Sequence, residues 1–306
     1  MKKLLLTSVI VFAAIINSSA QDDLMKVLKE NQTVKPEKVI ATFKTTKLIN
    51  IQTNETVHKR VLDFRIAHRF GSVGSQYNGG FHNFYGLYSI NDVRFAFEYG
   101  ITDKLAIGVS RSKVNENFEG LIKYRIMQQT SDNKIPVSLT VFGNTAVSAV
   151  KDISESKVYD VFARRIAYST QLSIAHKFTS SFSLTLNPMY VHRNYVSNPE
   201  DFNDGFALGA GFRFKFTRSM SIVGDYIYNF NSFTRKQTST LTNGNAESYW
   251  DPIGLGIEIE TGGHVFTIMF SNTTYLLESE MLSHASENPA KGGIKFSFNI
   301  SRNFSM

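Results

Sequence analysis

The chain of 306 residues contains no cysteine. Disulfides and thiolate metal sites are therefore excluded. Proline is scarce, at 6, and there is a single tryptophan. After residue 20 no run of 18 apolar residues occurs, so a membrane-spanning helix is not expected in the remainder. Charge of one sign is also missing. The formal net charge is +7, with 26 acidic residues among 33 basic ones, and the basic residues form no cluster of the kind that marks a nucleic-acid binder.

What is present begins with a targeting pattern. Lys2 and Lys3 precede a short apolar stretch, residues 4–16, followed by Ser18-Ser19-Ala20. Positive start, apolar centre and small residues at the end are the three parts of a secretory signal. Residues 1–20 are read as a signal peptide cleaved after Ala20. The absence of a following cysteine excludes a lipoprotein anchor. Export implies an oxidising compartment.

The mature chain alternates with period two. In Val93-Arg94-Phe95-Ala96-Phe97-Glu98-Tyr99 the odd positions are large and apolar. Phe206, Leu208, Ala210, Phe212, Phe214 and Phe216 share one parity; Ala207, Gly209, Gly211, Arg213 and Lys215 share the other. Ile294, Phe296, Phe298 and Ile300 oppose Lys295, Ser297, Asn299 and Ser301. Such alternation separates the two faces of a strand. Strands are expected near 60–70, 91–100, 104–112, 118–129, 135–149, 160–178, 182–195, 205–217, 220–230, 250–260, 264–274 and 292–304. Ten tilted residues cover about 23 Å, close to the ~25 Å apolar band of a membrane barrel. Tight joins rich in Gly, Asp, Asn and Ser alternate with longer ones, with 113–117 the short exception, and this asymmetry of rims belongs to outer-membrane barrels. In lipid every backbone polar group needs an internal partner, so the first and last strands must pair. The fold class expected is all-β: a closed antiparallel transmembrane β-barrel of about 12 strands over residues 59–306, in the cell outer membrane of a Gram-negative bacterium.

Residues 21–58 do not follow this pattern. Asp22 to Asn31 has the spacing of a short amphipathic helix, with Leu24, Val27 and Leu28 on one side. Residues 39–43 and 48–51 read as short extended pieces. Two readings stand for this segment: a periplasmic lead-in, or a plug folded into the lumen with Lys44 and Lys47 paired to Glu98, Glu258 or Glu260.

The stretch from Asn91 to Gly108 resembles a hairpin of a bacterial outer-membrane β-barrel family of unknown function. Ala41-Thr42-Phe43-Lys44, Leu48-Ile49-Asn50, the loop from Gly79-Gly80-Phe81 to Gly86 and the terminal Phe298-Asn299-Ile300-Ser301-Arg302 are similar too. The resemblance implies an outer-membrane barrel. It brings no activity and no catalytic residues.

By parity Arg65, Arg69, Arg94, Glu98, Lys123, Arg125, Arg213, Lys215, Glu258 and Glu260 are the lumen-lining candidates. Arg111, Arg193, Lys295, Asp63, Glu119 and Asp225 are placed on the same face. These charges form either a self-neutralising ladder across strands or a filter with a slight preference for anions. The seven histidines have no metal-ligand spacing, so neither a metal nor a cofactor is expected. His192, His264 and the Ser283-His284 pair are the nominees for a rim lipid hydrolase, but no orienting third group accompanies them. Loop aromatics Tyr77, Phe81, Phe84, Tyr85, Phe233, Tyr249 and Tyr275 suit an interfacial girdle or a partner contact. The expected partners are outer-membrane lipid, the barrel-assembly machinery (through a terminal strand carrying Phe304) and an unidentified small solute, with no nucleic acid. A non-enzymatic channel or transport component is favoured. A closed-lumen structural or partner-binding barrel is the alternative.

Overall fold

The computed structural model describes residues 37–151, 158–196, 202–231, 236–238, 246–248, 250–285 and 287–306. The expected signal peptide, the expected helix at 22–31, Phe233 and Tyr249 lie outside the described residues. Twelve strands form the barrel: β1 Val61–Ser72, β2 Ile90–Gly100, β3 Leu105–Ser112, β4 Asn117–Met127, β5 Ser138–Ser148, β6 Ile166–Lys177, β7 Phe182–Arg193, β8 Asp204–Lys215, β9 Met220–Asn229, β10 Ile253–Glu260, β11 His264–Ser271 and β12 Lys295–Ser305. A separate short ladder pairs Lys236–Thr238 with Ala246–Ser248.

Each barrel strand pairs antiparallel with its chain neighbours, and β12 returns to β1. The closing register sets Ile66 opposite Ile300 and Arg65 opposite Ser301. Both closing strands therefore keep one parity outward. The outward side carries Phe95, Phe97, Ile107, Leu186, Phe206, Leu255 and Ile268, all exposed. Bulk apolar side chains facing out, with charge facing in, reverse the order of a soluble barrel and match a lipid-facing wall. The ladder leaves no sheet edge in the hydrocarbon. Short connections at 101–104, 178–181, 216–219 and 261–263, together with a ten-residue connection at 128–137 where a tight join at 131–134 was expected, share one rim with the start of β1 and the end of β12. Most connections at the other rim are longer. In barrels of this kind the short-turn rim is periplasmic.

Two elements enter the barrel. Residues 39–58 rise from the short-turn rim and double back. One α-helix, α1 (Glu278–His284), belongs to the connection between β11 and β12 and enters from the long-loop rim. Between them they give the barrel an interior core: Phe43, Leu48, Ile49 and Ile51 of the first and Met281 and Leu282 of the second pack with Ala175, Met189, Val191, Ala207, Val223, Ile227 and Met269 of the wall. The inward face is thus not uniformly polar. The walls of β6 to β9 and β11 carry apolar side chains where an apolar occupant meets them.

One inward assignment changes. Arg111 faces outward, its guanidinium 4.8 Å from the Phe118 ring and 3.4 Å from the Glu116 carboxylate. It lies near the long-loop end of β3, where the interface can hydrate a cation at the end of an apolar wall.

Candidate functional site

The site is built where the hairpin of residues 39–58 meets the wall. At its entrance the Val39 amide donates to the Gln129 carbonyl (2.8 Å). Lys177 Nζ donates to the carbonyls of Ile40 (3.0 Å) and Ala41 (3.1 Å). Lys44 pairs with Glu260 at 3.0 Å. The ascending and descending arms are bridged at Lys47 and Gln52, the Thr53 amide donates to the Thr46 carbonyl (3.0 Å), and the Leu48 amide closes the turn on the Ile51 carbonyl (2.9 Å). The descending arm leaves through the Thr56 hydroxyl, which donates to the Asp103 carbonyl at 2.8 Å.

The tip is held from two sides of the wall. Asp225 Oδ2 accepts from three successive backbone amides, Ile49 (3.1 Å), Asn50 (2.6 Å) and Ile51 (3.2 Å), and its Oδ1 accepts from the Asn50 side chain (2.9 Å). Arg69 donates to the Ile49 carbonyl at 3.1 Å. A buried carboxylate that accepts from backbone N–H groups, and a buried guanidinium that donates to a carbonyl, offset part of the heavy cost of placing charge in a dry interior. Space for the tip comes from glycines on the inward face. A Cβ on Gly254 would stand 2.6 Å from Ile49 Cγ2, one on Gly209 2.9 Å from Ile51 Cγ2, and one on Gly211 2.7 Å from Leu48 Cδ1 and Ile51 Cδ1. Each aliphatic tip residue buried adds roughly 1.5–3 kcal/mol relative to exposure.

The ten lumen-lining candidates lie as follows. Arg65 and Lys123 both donate to Thr46 of the hairpin, to its hydroxyl (2.6 Å) and its carbonyl (2.6 Å) respectively, and the same hydroxyl donates to Glu98 (3.1 Å). Arg125 pairs with Glu55 at 3.1 Å. Arg69 holds Ile49, as described. Arg94 pairs with Glu119 on the wall, and Ser110 joins them. Arg213 bridges Glu258 (2.8 Å) and Glu260 (2.5 Å). Lys215 stands at the rim, part exposed and 3.9 Å from Glu260. All but Lys215 and Glu260 are buried. Some charges neutralise each other along the wall, as a ladder would. Others are answered by the hairpin.

One expected pairing is corrected. Lys47 meets none of Glu98, Glu258 and Glu260. Its Nζ lies 2.9 Å from Glu278 Oε1 and 3.0 Å from the Leu276 carbonyl. Glu278 also accepts from Gln52 (3.0 Å), Gln171 (3.2 Å) and Asn144 (3.3 Å). The position of the tip on Asp225 fixes how far Lys47 rises, and that height is the height of α1. Glu278 therefore joins the hairpin, the loop helix and the wall in one buried network. Sequence reasoning placed Asp225 inward but assigned it no partner, and it missed Glu278, Thr46, Gln171 and the glycine cradle. Gly209 and Gly211 at inward parity, beside apolar Met189 and Val191, were the available signal for an occupant.

The nominated hydrolase residues do not assemble. Ser283 is buried and donates to the Ser279 carbonyl (2.8 Å), while His284 lies against Glu280 and the Tyr275 ring. His192 faces outward and pairs with Asp204 at 2.8 Å, beside Tyr190, which donates to the same carboxylate at 2.5 Å. His264 is paired in register with Arg302 at the opposite rim.

Comparison with solved structures places two porins and an OmpF complex among the similar folds. A NanC porin matches with a TM-score of 0.46 and 9% identity, over 80% of this chain and 100% of its own. A KdgM porin in complex with disordered oligogalacturonate matches with 0.45 and 8%, over 80% and 99%. Salmonella typhi OmpF in complex with daunomycin matches with 0.35 and 9%, over 80% and 97%. A search of curated proteins finds no match. The model of the family described as membrane bound beta barrel domain (DUF5777) matches residues 43–304. That match takes in the lumen hairpin from Phe43 onward together with all twelve strands, so the chain belongs to this family and is a β-barrel of the outer membrane.

Proposed function

We propose that this protein is a plugged conduit: a non-enzymatic barrel whose lumen is closed by its own residues 39–58, and through which a small solute passes when that hairpin withdraws. The carrying observation is the hold on the tip, where one carboxylate takes three consecutive backbone amides. A permanent core has no need of a hydrated, polar entrance. Here the hairpin is bounded at the short-turn rim by an open pocket of about 390 Å3, lined by Lys44, Glu55, Asp63 and Arg125 among others. Withdrawal would uncover Arg65, Arg69, Arg94 and Lys123 with Asp63, Glu98 and Glu119 on one side of the lumen and Asp225 on the other, and would free Arg125 from Glu55, a lining of both signs with at most a slight preference for small anions.

The test is conductance in planar bilayers. The full chain is expected to be silent at low voltage. Asp225→Ala, or deletion of residues 43–57, should produce steps with at most a slight anion preference. Equal silence from a correctly folded deletion variant would remove the conduit reading.

A second reading, a barrel used as a partner-binding surface, is favoured by the connection between β1 and β2. Phe81 and Tyr88 are 85% and 75% exposed there. Phe84 and Tyr85 are held with φ of 46° and 54°, a left-handed conformation that costs an aromatic residue about 1–2 kcal/mol. A stoichiometric partner retained by the full chain and lost with Phe81→Ser and Tyr88→Ser would favour this reading.

A further inference from the structure

The outward wall of the barrel is almost free of charge. Among the described outward positions of the twelve strands, only Arg111 and Arg302 are arginine or lysine, and only Asp204 is acidic. Arg111 and Asp204 stand at the long-loop rim, with Glu116 and His192 as their partners. Arg302 stands at the short-turn rim. It is exposed, and its guanidinium lies 4.8 Å from the Phe304 ring. Among the described residues no carboxylate, the Met306 carboxyl group included, comes within ion-pair distance of it.

The surroundings of Arg302 are set by register. Phe64 of β1 stands opposite it on one side and His264 of β11 on the other. His264 is the first residue of β11, directly after the turn at 261–263. This row therefore lies at the edge of the wall, where hydrocarbon gives way to headgroups. Side chains directly opposed on antiparallel strands have Cβ atoms about 4.5–5.5 Å apart, so one ligand group can reach guanidinium and imidazole together. The approach from the rim is open, since a Cβ on Gly262 or Gly263 would meet nothing within 4 Å. Two residues further into the membrane the outward row is Ile66, Ile300 and Phe266, all apolar.

The Phe304 ring engages the Arg302 guanidinium through a cation–π contact and leaves its N–H edges free. Such an edge matches two oxygens of a phosphate. A free phosphate ion would make no use of the apolar row below. A phospholipid sets its phosphate at the level of Arg302 and lays its acyl chains along Ile66, Ile300 and Phe266. The headgroup is constrained as well. The ammonium of a zwitterionic lipid would approach Arg302 and find no outward carboxylate to receive it. The neighbouring rim carboxylates are engaged, Asp103 by the Lys59 amide and the His58 ring, and Glu260 by Lys44 and Arg213.

We propose that this row holds the phosphate of one anionic phospholipid of the periplasmic leaflet, with an uncharged headgroup of the phosphatidylglycerol type. Arg302 is its principal donor, His264 the second, and Phe304 fixes the plane of the guanidinium. The inference depends on the orientation of the barrel in the membrane and holds whether or not the barrel conducts.

Native mass spectrometry of the full chain tests it. The protein is released from detergent micelles that contain equal amounts of phosphatidylglycerol and phosphatidylethanolamine. The unaltered protein should retain one phosphatidylglycerol, well above phosphatidylethanolamine. Arg302→Gln should lower that retention about tenfold and His264→Phe about threefold. Arg111→Gln, at the other rim, should leave it unchanged. Equal retention of phosphatidylglycerol by the unaltered protein and Arg302→Gln would overturn the proposal, as would equal retention of the two lipids by the unaltered protein. If Arg302→Gln fails to fold, the ratio of the two lipids on the unaltered protein and the loss in His264→Phe still decide.

Discussion

Asp225 is a single carboxylate that does the work of a strand. Three amides that would otherwise be buried without partners converge on it. Each unpaired buried amide costs about 1–3 kcal/mol, so Asp225→Ala is expected to release the tip, read as faster proteolysis of residues 46–53. Asp225→Asn keeps one carbonyl acceptor and should release it less. The glycine cradle acts by volume. Gly254→Val sets a side chain into Ile49, and overpacking of this kind costs about 1–3 kcal/mol. The same protease sensitivity should follow with the charge on Asp225 intact. Asp103, at the β2–β3 turn, marks where the hairpin leaves. Its carboxyl is held below the ordinary value by the backbone amide of Lys59 and by the His58 ring. A depressed carboxylate contributes its stabilisation above its unfolded pKa and loses it as pH falls through the folded value. Attachment of residues 56–60 should therefore loosen under acid, and Asp103→Asn should remove that part of the pH dependence, read from backbone amide shifts. Asp225 was legible as an inward residue because parity is a side-chain property. Its partners were not, because a backbone amide carries no residue identity.

At the scale of elements, the hairpin and α1 meet through Lys47 and Glu278. Removing one member of a buried pair costs about 3–5 kcal/mol, because the other is left charged and alone. Lys47→Met and Glu278→Gln should each destabilise the barrel substantially, and the double variant should cost clearly less than their sum. Additive effects would mean that the two elements do not sense one another. The strands themselves were legible in the sequence. Lipid on one face and an occupied lumen on the other impose period two over eight to twelve residues, as β3 and β1 illustrate. The elements inside the barrel were not. Residues 46–54 are buried without a break, so no alternation records which way they face. Seven residues of α1 leave Ser279 and Ser283 as buried as Met281 and Leu282, and no amphipathic stripe survives. Residues 275–291 accordingly read as a loop.

At the scale of the molecule, the lumen is divided. Ionic groups gather on β1 to β4, and apolar side chains on β6 to β9 and β11. The hairpin suits both, presenting Thr46 and Lys47 to polar partners and Leu48, Ile49 and Ile51 to the apolar wall and the glycines. An empty pore would gain nothing from Met189, Val191 and Ile227 facing inward, since each would expose apolar surface to water. The split pattern is thus the whole-chain record of an occupant, read in the wall and in the segment that precedes it. The central claim is that occupancy. Hydrogen exchange of the protein in lipid tests it directly. The amides of Leu48 through Thr53 all have partners inside the lumen and are predicted to exchange as slowly as those in the middle of β8 and β9. Exchange of these six amides at the rate of an unpaired loop would contradict the account.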